Sequence, residues 1–197
     1  GDLVQRAIGT VAKALAVATV LVLVLLLLFL GNLRAALVVA LILPLSALAT
    51  FVLMQQWGLS ANLMSLGGLA IAIGLLVDAA VVVVENIEAR QAEPGISRLH
   101  TFYRATLEVA TPVSAGMVVI MIVFLPLLTL QGLEGKLFGP VALTIVFALG
   151  ASLLLSFTVI PVFASVALRS GHHATPWLVR KLEAGYAPLL DAALRHS

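Results

Sequence analysis

Cysteine is absent from this chain and charge is scarce. None of its 197 residues is cysteine, which excludes disulfide bonds, thiolate catalysis and thiolate metal sites. Soluble domains carry about 25% charged residues, and disordered segments combine low hydrophobicity with high net charge. Here 10% of residues are charged and 62% are hydrophobic, so the chain fits neither a soluble domain nor a disordered segment. Its net charge of +2 is too small to indicate nucleic acid as a partner. The composition indicates a polytopic membrane protein.

Long stretches without Asp, Glu, Lys or Arg define the architecture. The longest, Ala35–Val77, has 43 residues, whereas a helix needs about 20 apolar residues to cross a hydrocarbon core roughly 30 Å thick. Two spans therefore fit into it, divided by the polar segment 55–62. The spans must be helical, because the bilayer core has no water to satisfy exposed backbone groups. Five membrane-spanning helices are predicted, at residues 12–31, 35–56, 62–87, 106–130 and 138–168.

The predicted fold class is all-α: a polytopic membrane helix bundle over residues 1–170, followed by a cytoplasmic linker and an amphipathic surface helix over 171–197. Thr175 and Pro176 fit an N-cap and a first helical position. Apolar residues beyond them repeat on one face at helical spacing. Trp177 and the basic polar face favour a helix on the membrane surface, with packing against the protein's own helices as the alternative.

Basic residues are distributed unevenly between the two sides of the predicted bundle. One side carries three: Arg6, Lys13 and Lys136. The other carries eight: Arg34, Arg90, Arg98, Arg104, Arg169, Arg180, Lys181 and Arg195. The positive-inside rule makes the second side cytoplasmic, so the N-terminus is expected outside and the tail inside. No basic n-region precedes the first helix, and we expect the chain to be a segment of a larger protein.

Asp78 is an acidic residue within the third predicted span. A charged Asp at mid-membrane costs about 2.5–3.5 kcal/mol, and such residues usually face a bundle interior or a wet cavity on an ion or proton pathway. Glu85 follows two helical turns later on nearly the same face, about 10.5 Å along the axis. This spacing suits two stations of a water-linked proton relay. The alternatives are a structural polar role for Asp78 and an ordinary interfacial role for Glu85.

Other residues of the spans fit structural roles. Gly67, Gly68 and Gly74 are expected to give the helix flexibility near Asp78, and such small residues also permit close helix packing. Hydroxyl side chains in spans usually bond back to their own helix, which is the role expected of these four residues: Ser46, Thr111, Ser152 and Ser156. No Lys or Arg inside the other four spans could pair with Asp78, so a cation partner for Asp78 would have to come from outside this chain.

The string Gly67–Asn86, with its Val-Asp-Ala-Ala and Glu-Asn pairs, resembles the fourth transmembrane helix of RND-superfamily efflux pumps. It is most similar to the heavy-metal efflux branch, of the CusA/CzcA type. Phe29–Arg34 resembles the turn between that family's second and third helices, and Tyr186–Leu190 resembles its cytoplasmic surface helix. The resemblance covers almost the whole chain and implies helices two through six plus the surface helix.

The resemblance implies a multi-pass protein of the bacterial inner membrane, with a periplasmic N-terminus and a cytoplasmic tail. Such pumps expel substrate in exchange for protons, as homotrimers with a membrane-fusion protein and an outer-membrane channel. The implied partners of this chain are those proteins, the remaining half of the same pump and the lipid bilayer, and no cofactor is implied. Asp78 matches the family's proton-relay aspartate, and Glu85 matches the acid one relay step below it.

Two departures from the family pattern leave the metal undecided. Pumps for divalent zinc, cobalt or nickel carry a further Asp where this chain has Ala72, and pumps for copper and silver carry methionines along this helix. Thioethers suit monovalent copper, and Met64 near the outer end is the candidate ligand within this span. Met117 and Met121 share a face of the fourth span, where hydrophobic packing is the favoured interpretation.

The expected function is that of a transmembrane segment of a proton-driven RND efflux transporter that exports heavy-metal cations. One alternative is a non-transporting membrane anchor or assembly module, in which Asp78 hydrogen-bonds between helices. Another is an RND exporter of organic compounds or lipids. An enzyme is not expected, because the sequence shows no nucleophile–base pair, no cluster of metal ligands and no phosphate-binding glycine motif.

Overall fold

A computed structural model describes residues 2–90, 97–168, 179–181 and 186. The elements follow one another as α1 Asp2–Leu30, α2 Leu33–Gln56, α3 Leu63–Ile73, α4 Val77–Arg90, α5 Arg98–Phe124, a 3-10 helix Leu125–Thr129, and α6 Gly132–Ala167. No strand occurs within the described ranges. The predicted all-α fold class is confirmed.

Five helical segments are long and apolar enough to cross a membrane: Ala12–Phe29, Leu33–Gln56, Leu63–Arg90, Leu99–Thr129 and Gly132–Ala167. Their number equals the number predicted from the charge-free stretches. The third segment is not one continuous helix, because α3 and α4 are separated by residues 74–76. The predicted surface helix at 171–197 lies outside the described residues, apart from 179–181 and 186, which are helical.

Local side chains and one glycine set where the first helices end and begin. Gly31 adopts a φ of 65° at the end of α1, a left-handed conformation that glycine tolerates best. Asn32 then caps α2, because its Oδ1 accepts a hydrogen bond from the Arg34 amide at 3.0 Å. Asn62 and Ser65 form a reciprocal capping box at the start of α3. These turns fix the register in which α2 and α3 enter the bundle.

Helix α6 is the centre of the bundle and packs against α2, α3, α4 and α5. Small buried residues on α6, such as Ala148 and Ala151, allow neighbouring helices to approach closely. The tightest approach is at Gly68 of α3, where an added Cβ would lie 2.7 Å from the Val141 carbonyl oxygen. Gly67 next to it faces open space. The predicted role of small residues in close packing therefore holds for Gly68.

The outermost helices leave apolar surface uncovered. Only 6% of the spanning segment of α1 is buried, and the same share applies to the span of α5. Helix α1 packs against α2 and α3, and its outward side exposes large apolar residues such as Val20 and Leu21. In a bilayer, lipid tails or further helices would cover such surface.

Candidate functional site: an acidic groove beside a broken helix

The interruption between α3 and α4 lies directly before Asp78. The Ala72 carbonyl oxygen accepts hydrogen bonds from the amides of Leu75 at 2.7 Å and Leu76 at 3.0 Å, and α4 then begins at Val77. No proline occurs at the break, so ring geometry is not its cause. Instead, the Ser152 hydroxyl of α6 donates a hydrogen bond to the Leu76 carbonyl oxygen. The break is thus attached to the central helix of the bundle.

Asp78 is the second residue of α4 and lies in its first turn. The amide ends at a helix N-terminus carry partial positive charge, which favours a carboxylate at this position. Its neighbours Val77 and Ala79 are buried, whereas the Asp78 side chain is exposed. The first turn of α4 therefore directs this one carboxylate out of the packed core.

The carboxylate faces a groove between α1 and α4 with a cavity volume of about 960 Å³. Asp78, Glu85 and Glu88 line it from α4, so the structure brings the two predicted relay residues to one surface. The facing wall is formed by apolar side chains of α1, including Leu25 and Phe29. No Lys or Arg of the described part of the chain lines this groove. The groove is acidic on one wall and apolar on the other.

The two predicted residues differ from Glu88 in their bonding. Within residues 2–90, 97–168, 179–181 and 186, neither Asp78 nor Glu85 forms a hydrogen bond or ion pair. Glu88 instead accepts a hydrogen bond from Asn32 Nδ2 at the start of α2. Asp78 and Glu85 therefore line the groove without a hydrogen-bond partner in the described residues, whereas Glu88 joins α4 to the α1–α2 turn.

A second polar cluster, which sequence reasoning missed, joins the end of α4 to α5. Asn86 Nδ2 donates to the Ala105 carbonyl oxygen at 2.7 Å and to Glu108 Oε2 at 3.2 Å. Arg90 also forms an ion pair with Glu108. Since Asn86 is occupied in this way, the Glu-Asn pair of the motif serves two purposes: Glu85 faces the groove and Asn86 holds α4 in place.

None of the methionines in the described residues lines the acidic groove. Met64 lies in the first turn of α3 at the bundle surface, away from the groove lining. Met117 is buried in the core, and Met121 packs against it, in agreement with the packing interpretation. No group of three His, Asp or Glu side chains that could hold a metal ion occurs in the described ranges.

The hydroxyl groups of the spans differ in their hydrogen bonding. Ser46 bonds back to the Ile42 carbonyl oxygen of its own helix, as predicted. Ser152 does not, and the prediction for it is wrong, because its hydroxyl donates to the Leu76 carbonyl oxygen in the α3–α4 break. Ser156, one turn further along α6, is buried and its hydroxyl has no partner among the residues described, so the bond predicted to its own helix is wrong for this residue too.

Comparison with known proteins identifies relatives along the whole chain. A sequence profile of the AcrB/AcrD/AcrF family matches residues 1–197. Protein HelA of Legionella pneumophila is 44% identical over 199 residues, which cover 95% of this chain and 19% of HelA. The cobalt-zinc-cadmium resistance protein CzcA of Cupriavidus metallidurans is 42% identical over 211 residues, which cover 99% of this chain and 19% of CzcA.

A solved structure is similar in fold. The X-ray crystal structure of a heavy metal efflux pump matches with a TM-score of 0.68 at 42% sequence identity, and the match covers 81% of this chain and 16% of that one. This chain spans about a fifth of the length of HelA and of CzcA. The resemblance inferred from the sequence motifs is confirmed. This chain belongs to the AcrB/AcrD/AcrF family and is a segment of the heavy-metal efflux branch of the RND superfamily.

Proposed function

We propose that this chain is the proton-conducting part of an RND transporter that exports heavy-metal cations. The observation that carries the proposal is the position of Asp78: an exposed carboxylate without a bonding partner in the described residues, in a membrane-spanning segment and on an open groove. A carboxylate within a membrane-spanning segment costs free energy, and such residues usually mark ion or proton pathways. Reversible protonation provides such a function.

In this proposal Asp78 and Glu85 act in sequence. Both line the same groove on α4, and a helix rise of about 1.5 Å per residue separates them by about 10.5 Å. Water molecules between the two carboxylates would carry the proton over that distance. Moving one charge across 100 mV is worth about 2.3 kcal/mol, so proton entry and release can drive a conformational step in the complete pump.

The proposal includes the setting of the chain. We infer an inner-membrane location with the N-terminus in the periplasm and the C-terminal tail in the cytoplasm, from the eight-to-three distribution of basic residues. The proposed partners are the other half of the pump, two further copies in a homotrimer, a membrane-fusion protein and an outer-membrane channel. Heavy-metal cations are the proposed cargo, because CzcA and the similar crystal structure are described as a metal-resistance protein and a heavy metal efflux pump.

The test compares three substitutions in the complete pump, each of which replaces a carboxylate by its amide. Asp78→Asn and Glu85→Gln change groove residues, and Glu134→Gln changes an exposed acid in the first turn of α6 as the control. Proton flux is measured in vesicles with a pH-sensitive dye while metal is transported. We expect Asp78→Asn to abolish metal-dependent flux, Glu85→Gln to reduce it, and Glu134→Gln to leave it unchanged.

Normal flux and normal metal resistance in Asp78→Asn would refute the relay. Resistance is measured against zinc, cobalt, nickel, copper, silver and a set of organic compounds. If Asp78→Asn lost resistance to the organic compounds and kept the metal resistance of the parent pump, the protein would be an exporter of organic compounds. A complete pump without any transport activity would favour the anchor or assembly role.

A further inference from the structure

We propose that Ser152 is a positioning residue: its hydroxyl holds the α3–α4 break against α6 and thereby sets the direction in which Asp78 faces. This inference rests on the proposed function only for its effect on transport. The geometric part, that one hydroxyl on α6 orients a carboxylate on α4, is tested separately below.

The bond from Ser152 differs from those of the other hydroxyl groups. Ser46, Thr106 and Thr158 each donate to the carbonyl oxygen four residues earlier in their own helix. Ser152 instead donates to a backbone carbonyl in the α3–α4 break, 76 residues away in the sequence. Its acceptor is Leu76, and both residues have 0% exposed surface. Water therefore cannot replace this bond when it is lost.

The acceptor is well placed to control Asp78. Leu76 directly precedes α4, and Asp78 is two residues further on. Successive residues of a helix point about 100° apart, and the neighbours on both sides, Val77 and Ala79, are buried. A rotation of the first turn by one residue would therefore turn the carboxylate from the groove into the core. The hydrogen bond from Ser152 holds the Leu76 carbonyl group directly before α4. It therefore opposes this rotation of the first turn.

The chain offers a matched control one turn away. Ser156 lies on the same helix, is equally buried, and its hydroxyl has no hydrogen-bond partner in the described structure. Ser152→Ala and Ser156→Ala remove the same atom from the same helix. A general effect of a missing buried hydroxyl would change both variants alike, whereas a positioning role affects Ser152→Ala alone.

Two measurements on the complete pump test the proposal. The first is the rate at which a hydrophobic carbodiimide labels Asp78, followed by mass spectrometry of the peptide that contains it. The second is metal-dependent proton flux per folded protein. We expect Ser152→Ala to change the labelling rate and to lower flux about five-fold, the factor expected from one net hydrogen bond, and Ser156→Ala to match the parent in both. Equal values for the two variants would overturn the proposal.

A second pair of variants isolates the hydroxyl from packing. Threonine and valine have nearly the same shape, so Ser152→Thr keeps the donor while Ser152→Val removes it at similar volume. We expect higher flux and a labelling rate closer to the parent for Ser152→Thr. Equal behaviour of this pair would contradict the inference. So would a result in which Ser152→Ala and Ser152→Val fail to fold, because the hydroxyl would then serve folding rather than orientation.

The two proposals fail in different ways. Normal proton flux in Asp78→Asn would refute the relay proposal. The labelling rate of Asp78 in the Ser152 variants would still show whether Ser152 orients Asp78. Unchanged labelling of Asp78 in Ser152→Ala, together with lost proton flux in Asp78→Asn, would refute the positioning proposal and leave the relay proposal standing.

Discussion

Gly68 gives the sharpest stability prediction, because its neighbour Gly67 is an internal control. A Cβ at position 68 would lie 2.7 Å from the Val141 carbonyl oxygen, 3.1 Å from Val141 Cα and 3.3 Å from Thr144 Cβ. Two of those atoms belong to the backbone of α6 and cannot rotate away. A Cβ at position 67 would meet nothing within 4 Å.

The magnitude follows from comparing Gly68→Ala with Gly67→Ala. Both gain about 0.5–1 kcal/mol from the lower chain entropy of alanine in a helix, so this contribution cancels in the difference. What remains is the cost of forcing α3 and α6 apart by several tenths of an ångström, about 1–3 kcal/mol for an overpacked core. We therefore expect Gly68→Ala to be less stable than Gly67→Ala by that amount.

The assay uses the complete pump in detergent. Each variant is heated in steps, and the fraction that remains folded is measured by size-exclusion chromatography. Gly67→Ala should have a midpoint equal to or above that of the parent, and Gly68→Ala a lower one. A midpoint of Gly68→Ala at or above that of Gly67→Ala would show that α3 and α6 are not in the close contact described here.

Two further predictions concern polar contacts. Asn62→Ala removes the capping box with Ser65 and should cost about 1 kcal/mol of stability, while Asn62→Asp keeps a capping oxygen and should stay near the parent in the same heating assay. Equal midpoints for Asn62→Ala and the parent would contradict the cap. Arg90 and Glu108 are paired but 42% and 49% exposed, so a double-mutant cycle should give a coupling of only about 0.2–1 kcal/mol that weakens with added salt. A coupling several times larger and independent of salt would mean that the pair is shielded from water.

The number of spans and the acidic face of α4 could both be predicted from the sequence. Hydropathy predicts spans well, because a membrane helix must be apolar over its whole length. The seven-residue spacing of Asp78 and Glu85 likewise predicted that both would lie on one side of a helix, and both line one groove.

Gly74 predicts flexibility near Asp78 but not a break at residues 74–76, because Gly-Leu-Leu is an ordinary sequence within a membrane helix. The break is bonded to a serine 76 residues away, and such a distant contact leaves no local pattern. The same reason explains why Gly68 and Gly67 look alike in the sequence although only Gly68 contacts α6. Asn32 and Glu88 are a further example, since each is unremarkable until α2 and α4 are packed together.

The length of α6 has a mechanical consequence. Its 36 residues extend about 54 Å at a rise of about 1.5 Å per residue, which exceeds the hydrocarbon thickness of roughly 30 Å by about 24 Å. The helix must lean strongly or protrude into the aqueous layer. The same helix packs against α2, α3, α4 and α5. One part of it therefore lies among its neighbours, and another part lies at the boundary with water. A displacement of α4 beside the groove would therefore act on a helix that extends beyond the hydrocarbon core.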